Sequence, residues 1–238
     1  MVRSLSRLSD AVKQLQRGGL VLLHDFNSRE NETDMIMAAE KVTPAHIGIM
    51  RNQAGGLICV GIESHLAERI GLPFLSELLE IAGDKYPWLK QLTNGENPYG
   101  GKPAFSISVN HRDTFTGITD RDRALTIRKL VEVFRKAKTA GNGFTEEFAR
   151  QFRAPGHVHL LRASNGLLSE RRGHTELSVY LAELAGVTPV TVICEMLDAD
   201  SYGALTAREA EKYAVSNDIP FLEGKEVLKH YQLNHSAS

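Results

Sequence analysis

The chain has 238 residues, of which 42% are hydrophobic and 24% charged, a composition that supports one large or two small soluble domains with an ordinary core. A formal net charge of -1 excludes a global basic field for nucleic acid. No apolar run approaches the roughly 20 residues that a membrane span needs, and the mixed-charge amphipathic start, residues 1–15, does not read as a signal peptide.

Leu5, Leu8, Val12 and Leu15 recur at helical spacing, and Gly18-Gly19 ends that helix. A buried strand follows over residues 20–24, then the polar stretch Ser28-Arg29-Glu30-Asn31-Glu32-Thr33-Asp34, then a short strand through Met35-Ile36-Met37. Thr43-Pro44 is an N-cap with a first-turn proline, predicting a helix to about Gln53. A strand over 57–62 and a short helix over 64–70 come next. Residues 75–103 hold a helical piece and a turn-rich excursion through Asn94-Gly95, Asn97-Pro98 and Gly100-Gly101, read as an elaboration on the surface. Phe105, Ile107 and Val109 alternate as in a strand, and Asp120 is a candidate cap for a helix carrying Ala124, Ile127, Leu130, Val131 and Phe134. A loop around Gly141-Asn142-Gly143 leads to a short helix over 145–152. Pro155-Gly156-His157 then opens a strand over 158–161. Thr175 is a candidate cap for a helix running to Leu184, with Gly186 as its stop. Residues 190–196 form the most strand-like run, followed by a helix over 207–216, a strand over 219–222 and a helix over 226–230. Several strand connections are too short for crossover helices. The expected fold is therefore α+β, a single domain over 1–238 with a mixed, twisted sheet flanked by helices.

The acidic loop is the first candidate for chemistry. Glu30, Glu32 and Asp34 follow a core strand and are spaced by two, so an extended chain would project them to one side. Carboxylates suit hard divalent cations, and crowding raises the pKa of at least one. The same residues also fit a solvated turn. In Arg171-Arg172-Gly173-His174-Thr175-Glu176, free N–H groups of a first helical turn and a neighbouring Arg would favour an anion, and His174 can ligate a metal. A plain capped helix fits equally. His157 after a Pro-Gly pair is placed for acid–base work, though a lone His is more often an ordinary polar residue. Glu195 ends an apolar strand, where an ionised carboxylate needs a partner or a function. The hydroxyls and glycine of Thr114-Phe115-Thr116-Gly117 precede a helix and form a weak phosphate-side candidate. No dinucleotide fingerprint, Walker loop, nucleophile elbow or CxxC pair is present. Cys59 and Cys194 sit in apolar contexts that suggest buried, reduced thiols and a cytoplasmic protein.

Taken in order, seven segments resemble the 3,4-dihydroxy-2-butanone-4-phosphate synthase family: Asp25, Arg29-Glu30-Asn31-Glu32-Thr33-Asp34-Met35-Ile36, Ala54-Gly55-Gly56-Leu57-Ile58-Cys59, the run Phe115 to Arg123, Pro155-Gly156-His157-Val158, Gly173-His174-Thr175-Glu176 and Cys194-Glu195-Met196. The longer stretch 75–103 looks like the stand-alone archaeal type. The resemblance implies a carbon–carbon lyase of riboflavin biosynthesis. It would convert D-ribulose 5-phosphate to L-3,4-dihydroxy-2-butanone 4-phosphate and formate with Mg²⁺ or Mn²⁺. It assigns metal binding to Glu30 and His174, and acid–base positions to His157 and Glu195. Substrate contacts fall on Arg29, Asp34, Arg171, Arg172, Gly173, Thr175 and Glu195. Glu32 and Asp34 are added as acid–base candidates, and Thr116 and the ion-binding pair Glu30 and His174 as substrate contacts. A homodimer with sites at its interface is implied, with no nucleic-acid or membrane partner. A metal-dependent sugar-phosphate isomerase or aldolase would use the same groups but release no formate. A nucleotide-binding protein of the threonylcarbamoyl-adenylate synthase-like kind would need a basic cleft that the charge speaks against.

Overall fold

Alternation of apolar side chains builds a seven-stranded mixed sheet in the order β4-β5-β3-β6-β2-β1-β7. The computed structural model describes residues 2–139 and 144–235, so the expected loop at 141–143 lies outside the described residues. The strands are β1 Val21–His24, β2 Thr33–Ala38, β3 Cys59–Ile62, β4 Phe105–His111, β5 Phe152–Arg162, β6 Val190–Glu195 and β7 Phe221–Glu223. Only β1 with β7 and β3 with β5 run parallel; β1–β2, β2–β6, β3–β6 and β4–β5 are antiparallel.

The ten helices are α1 Val2–Arg17, α2 Pro44–Ile49, α3 Ser64–Arg69, α4 Leu75–Ala82, α5 Trp88–Leu92, α6 Asp120–Thr139, α7 Phe144–Gln151, α8 His174–Leu184, α9 Ala207–Ser216 and α10 Gly224–His235 among the described residues. The sheet separates two apolar clusters. On one face Leu22, Met35, Met37, Val60, Val192 and Cys194 pack against Ile47 of α2, against Ile127, Leu130 and Phe134 of α6, and against Ala210 of α9. On the other, Val21, Leu23, Ile36 and Ile193 meet Leu8 and Leu15 of α1, Leu177 and Leu181 of α8, and Val227 of α10. Successive strand residues therefore feed opposite layers, as a pleat with both faces covered requires. No described helix is long and apolar enough to cross a membrane. Both cysteines are buried and free.

Four local expectations are corrected. The helix opened by Thr43, whose hydroxyl accepts from His46 N, ends at Ile49 and widens into a π-turn over Met50–Ala54, closed by Gly55 at φ 88°. β5 begins at Phe152, so Pro155, Gly156 and His157 lie inside a strand rather than before it. The exposed first half of that strand hides its β character, and proline donates no ladder hydrogen bond. Thr119, not Asp120, caps α6 by accepting from Asp122 N at 3.1 Å, while Asp120 pairs with Arg51 and Arg123. Gly173, not Thr175, is the N-cap of α8.

Candidate functional site

The antiparallel chain reversals put the C-terminal end of β1, the N-terminal end of β2 and the C-terminal end of β6 together at one end of the strands. Asp34 and Glu195 face each other directly across β2 and β6. By alternation both share the face of Ile36 and Ile193, which is the face that α8 covers. α8 begins with His174, so its first turn arrives over the two carboxylates.

The acidic loop is not extended. A turn over residues 27–30 and Asn31 at φ 56° fold it back. Asp25, buried at the end of β1, organises the turn: its carboxylate accepts from Glu30 N, Glu32 N and Arg29 Nη1, each at 3.1 Å. Arg29 Nη1 also lies 2.6 Å from Glu30 Oε2. The folded-back loop delivers Glu30 Oε2 to within 3.1 Å of His174 Nδ1, a contact between residues 144 positions apart. On the other side of the ring, His174 Nε2 stands 3.6 Å from Asp34 Oδ1. Among the described residues neither of these two buried atoms has a hydrogen-bond partner.

The charges set each other's protonation. Burial works against ionised Glu30, but His174 and Arg29 outweigh it and hold its carboxyl down at about 2. Burial pushes Asp34 up to about 7, with help from Glu195, Glu30 and Glu32 and against the pull of His174. Burial would lower His174; Asp34, Glu30 and Asp25 overcome it and lift the imidazole to about 9. Half-buried Glu32 is raised, first by burial and then by Glu30.

Glu195 finds its partner in the backbone of the segment before β3: Leu57 N donates to Glu195 Oε2 at 2.8 Å. This approach requires glycine at position 56, because a Cβ there would fall 2.5 Å from the same oxygen. Two guanidiniums converge on the helix N-terminus. A Cβ on Gly173 would lie 2.4 Å from Arg171 Nη1 and 2.9 Å from Arg29 Nη2. Arg171 Nη1 pairs at 2.6 Å with Glu176 Oε2, a fully buried carboxylate that also accepts from Ser164 N and Gly173 N. These groups surround a cavity of about 90 Å³ lined by Arg29, Glu30, Asp34, Cys59, Tyr99, Arg171, His174, Thr175 and Glu195.

Of the residues expected at a site, the structure thus brings together Arg29, Glu30, Asp34, Arg171, Gly173, His174, Thr175 and Glu195, with Glu32 beside them. Three others lie elsewhere. His157, exposed on β5, donates its N–H to Asn110 Oδ1 at 2.8 Å and has Asn110 Nδ2 3.1 Å from its Nδ1. Thr116 sits in the bend that follows β4, its carbonyl reached by Asn110 Nδ2 at 3.5 Å. Neither lines the cavity. Arg172 points into a separate hollow with Leu228, Tyr231 and His235 of α10.

Two participants carry no role in the sequence reading. Asp25 supplies one oxygen that, with one ligand atom each from Glu30 and His174, forms a set within 4.8 Å of one another. Its signal was its place at the end of a core strand before the acidic loop. Tyr99 reaches the cavity from the 75–103 elaboration, and no periodicity marks it. The donor set of two carboxylates and an imidazole, with an orphaned buried ring nitrogen, fits a hard divalent ion.

A family model described as 3,4-dihydroxy-2-butanone 4-phosphate synthase matches residues 9–230. The chain is 48% identical over 224 residues to a 3,4-dihydroxy-2-butanone 4-phosphate synthase of Methanothermobacter thermautotrophicus, covering 94% of this chain and 95% of that one. A relative of the same description from Archaeoglobus fulgidus is 46% identical, covering 94% and 93%. Among solved structures, a 3,4-dihydroxy-2-butanone 4-phosphate synthase in complex with two magnesium ions superposes with a TM-score of 0.75 at 30% identity, covering 94% of this chain and 96% of that one. A two-domain synthase from A. baumannii gives the same TM-score at 27% identity and is covered over 59% of its length.

Proposed function

The chain belongs to the 3,4-dihydroxy-2-butanone 4-phosphate synthase family, and from that premise we propose that it converts D-ribulose 5-phosphate to L-3,4-dihydroxy-2-butanone 4-phosphate and formate, in the cytoplasm, for riboflavin synthesis. One observation carries the site assignment: Glu30 and His174, 144 positions apart, meet at 3.1 Å beside buried polar atoms that lack partners.

Glu30 and His174 would hold Mg²⁺ or Mn²⁺, with Asp25 adjacent. The bound ion would supply Lewis-acid stabilisation of the negative charge that develops when a proton leaves the carbon beside the ketone. Arg29 and Arg171, converging at Gly173, would orient the substrate with the N–H groups of α8 and the Thr175 hydroxyl. Binding energy gathered on the phosphate would align the reacting carbons. The reaction needs several proton transfers: enediol formation, loss and return of water, a carbon shift and formate expulsion. Asp34, poised at about 7, can give or take a proton at neutral pH. Glu195 lies directly opposite, and Glu32 is a further acid–base candidate at the loop.

His157 and Thr116 do not reach this cavity within one chain. The reading assigns them to the site of a second copy, in a homodimer whose interface brings the β4–β5 ribbon of one protomer to the carboxylates of its partner.

The deciding experiment is turnover of ribulose 5-phosphate with Mg²⁺, both products being identified by NMR. Equimolar formate and the four-carbon phosphate are expected. A pentose phosphate isomer, or a shorter sugar phosphate without formate, would make the protein an isomerase or aldolase.

A further inference from the structure

The 75–103 elaboration has no core of its own: between Leu75 and Pro103 only Gly83 is buried. Ile81, Trp88 and Leu92 are exposed, and ion pairs such as Lys102 with Glu80 and Lys90 with Asp84 lie at the surface. Such a segment has little reason to hold one place, since surface pairs contribute about 1 kcal/mol or less. Yet Tyr99, from its turn-rich end, enters the cavity. The Arg29 guanidinium stacks over its ring, 4.9 Å from the centroid. Its phenol also bears on the neighbouring Glu30 carboxylate, favouring the ionised form. Tyr99 therefore acts on both members of the Arg29–Glu30 pair.

Two groups hold the Glu30 carboxylate, His174 at 3.1 Å and Arg29 at 2.6 Å, and the Tyr99 phenol beside them favours its ionised form. An ion bound by Glu30 and His174 takes His174 away as a donor. Arg29 and the phenol are then left to fix the direction of the carboxylate oxygens. Cavity size points the same way. About 90 Å³ is far below the roughly 300 Å³ at the small end of ligand clefts. With Tyr99 in place the space suits an ion and a few waters, and a sugar phosphate enters only if the cover shifts.

Resting on the functional reading for the identity of the ion, we propose that Tyr99 is a positioning residue that aims Glu30 and Arg29, and that through this one side chain ion binding orders the 75–103 segment. Two variants separate its parts: Tyr99→Phe keeps the ring under Arg29 and removes only the hydroxyl, whereas Tyr99→Leu removes both. Tyr99 is 37% exposed, so neither change empties a core position.

The test is calorimetric titration of the full chain with MgCl₂, without substrate, together with hydrogen exchange of residues 76–101. Tyr99→Phe should weaken Mg²⁺ binding about 10-fold, as loss of a partner to a ligating carboxylate does, and Tyr99→Leu should weaken it further. Mg²⁺ should slow exchange across the segment in the wild-type chain and not in Tyr99→Leu. Wild-type affinity in Tyr99→Phe, or equal protection of the segment in Tyr99→Leu and wild type, overturns the proposal. Because substrate is absent, these outcomes are independent of whether ribulose 5-phosphate is turned over.

Discussion

Asp34 and Glu195 occupy directly opposed positions on β2 and β6, so the protein holds two carboxyl groups against each other at the ends of two interior strands. The arrangement is made asymmetric by what lies around each. Glu195 receives the Leu57 N–H, whereas Asp34 is buried with one oxygen unpartnered and its pKa pushed up to about 7. Asp34 is the member suited to exchanging protons at neutral pH. Asp34→Asn keeps the shape and removes the exchange. It should lower kcat by about 100-fold or more, with an unchanged far-UV dichroism spectrum. A variant with more than a tenth of wild-type kcat would remove Asp34 from the chemistry.

His174 must lose its proton to ligate an ion, and in the metal-free protein it keeps that proton up to about 9. Mg²⁺ binding should therefore release close to one proton at pH 7 to 8. Affinity should rise about 10-fold per pH unit towards 9 and then level. Calorimetry in two buffers of different ionisation enthalpy counts the protons directly. Stability has the opposite slope. The folded pKa of His174 exceeds its ordinary 6.5, so its stabilisation is complete below 6.5 and is lost as pH rises through about 9. Asp34, raised from 3.8 to about 7, adds stability at low pH that fades earlier, as pH rises from 3.8 through about 7. The metal-free Tm should fall between pH 6 and 9, and saturating Mg²⁺ should flatten the fall. A metal-free Tm that climbs with pH would contradict the charge assignment.

Strands β1, β2, β3 and β6 were legible because runs such as Leu20-Val21-Leu22-Leu23 and Val190 to Met196 bury apolar side chains on both faces, and the sequence records that demand. The start of β5 was not, because Arg153, Ala154 and Pro155 are exposed on a ribbon and carry no alternation. Glu30 and Asp34 were picked out as charged residues after a core strand, but the reason they meet is different from the expected one. The chain turns at Asn31 instead of extending, and Asp25 holds the turn through three hydrogen bonds. Thr175 looks like a better cap than Gly173. The tertiary fold overrides that preference, because Arg29 and Arg171 crowd the space a side chain would fill. Tyr99 depends wholly on a long-range contact, which local pattern does not encode.

Arg171 has two partners to lose. Facing the cavity, it is the proposed phosphate contact; behind, it neutralises buried Glu176 at 2.6 Å. Arg171→Ala should raise KM and also cost about 2 to 4 kcal/mol of stability, since a buried carboxylate is left without its cation. Adding Glu176→Gln should restore most of the Tm while leaving KM high. If the double variant recovers both, Arg171 acts only by holding Glu176.

Glu30→Gln and His157→Ala should each abolish turnover alone, for different reasons: one removes an ion ligand, the other an acid–base group. The two residues lie in separate clusters of one chain, with His157 against Asn110 on the β4–β5 ribbon and Glu30 against His174. In a shared site, a heterodimer of the two variants has one site carrying both lesions and one carrying neither, so it should regain about half the wild-type activity. In a site built from one chain, both sites of that heterodimer are damaged and activity stays near zero. Co-expression with two affinity tags isolates the heterodimer, and formate release gives the answer. Inactivity of that preparation, with the ion still bound at one site per dimer, would place His157 outside the reaction chamber of the neighbouring copy.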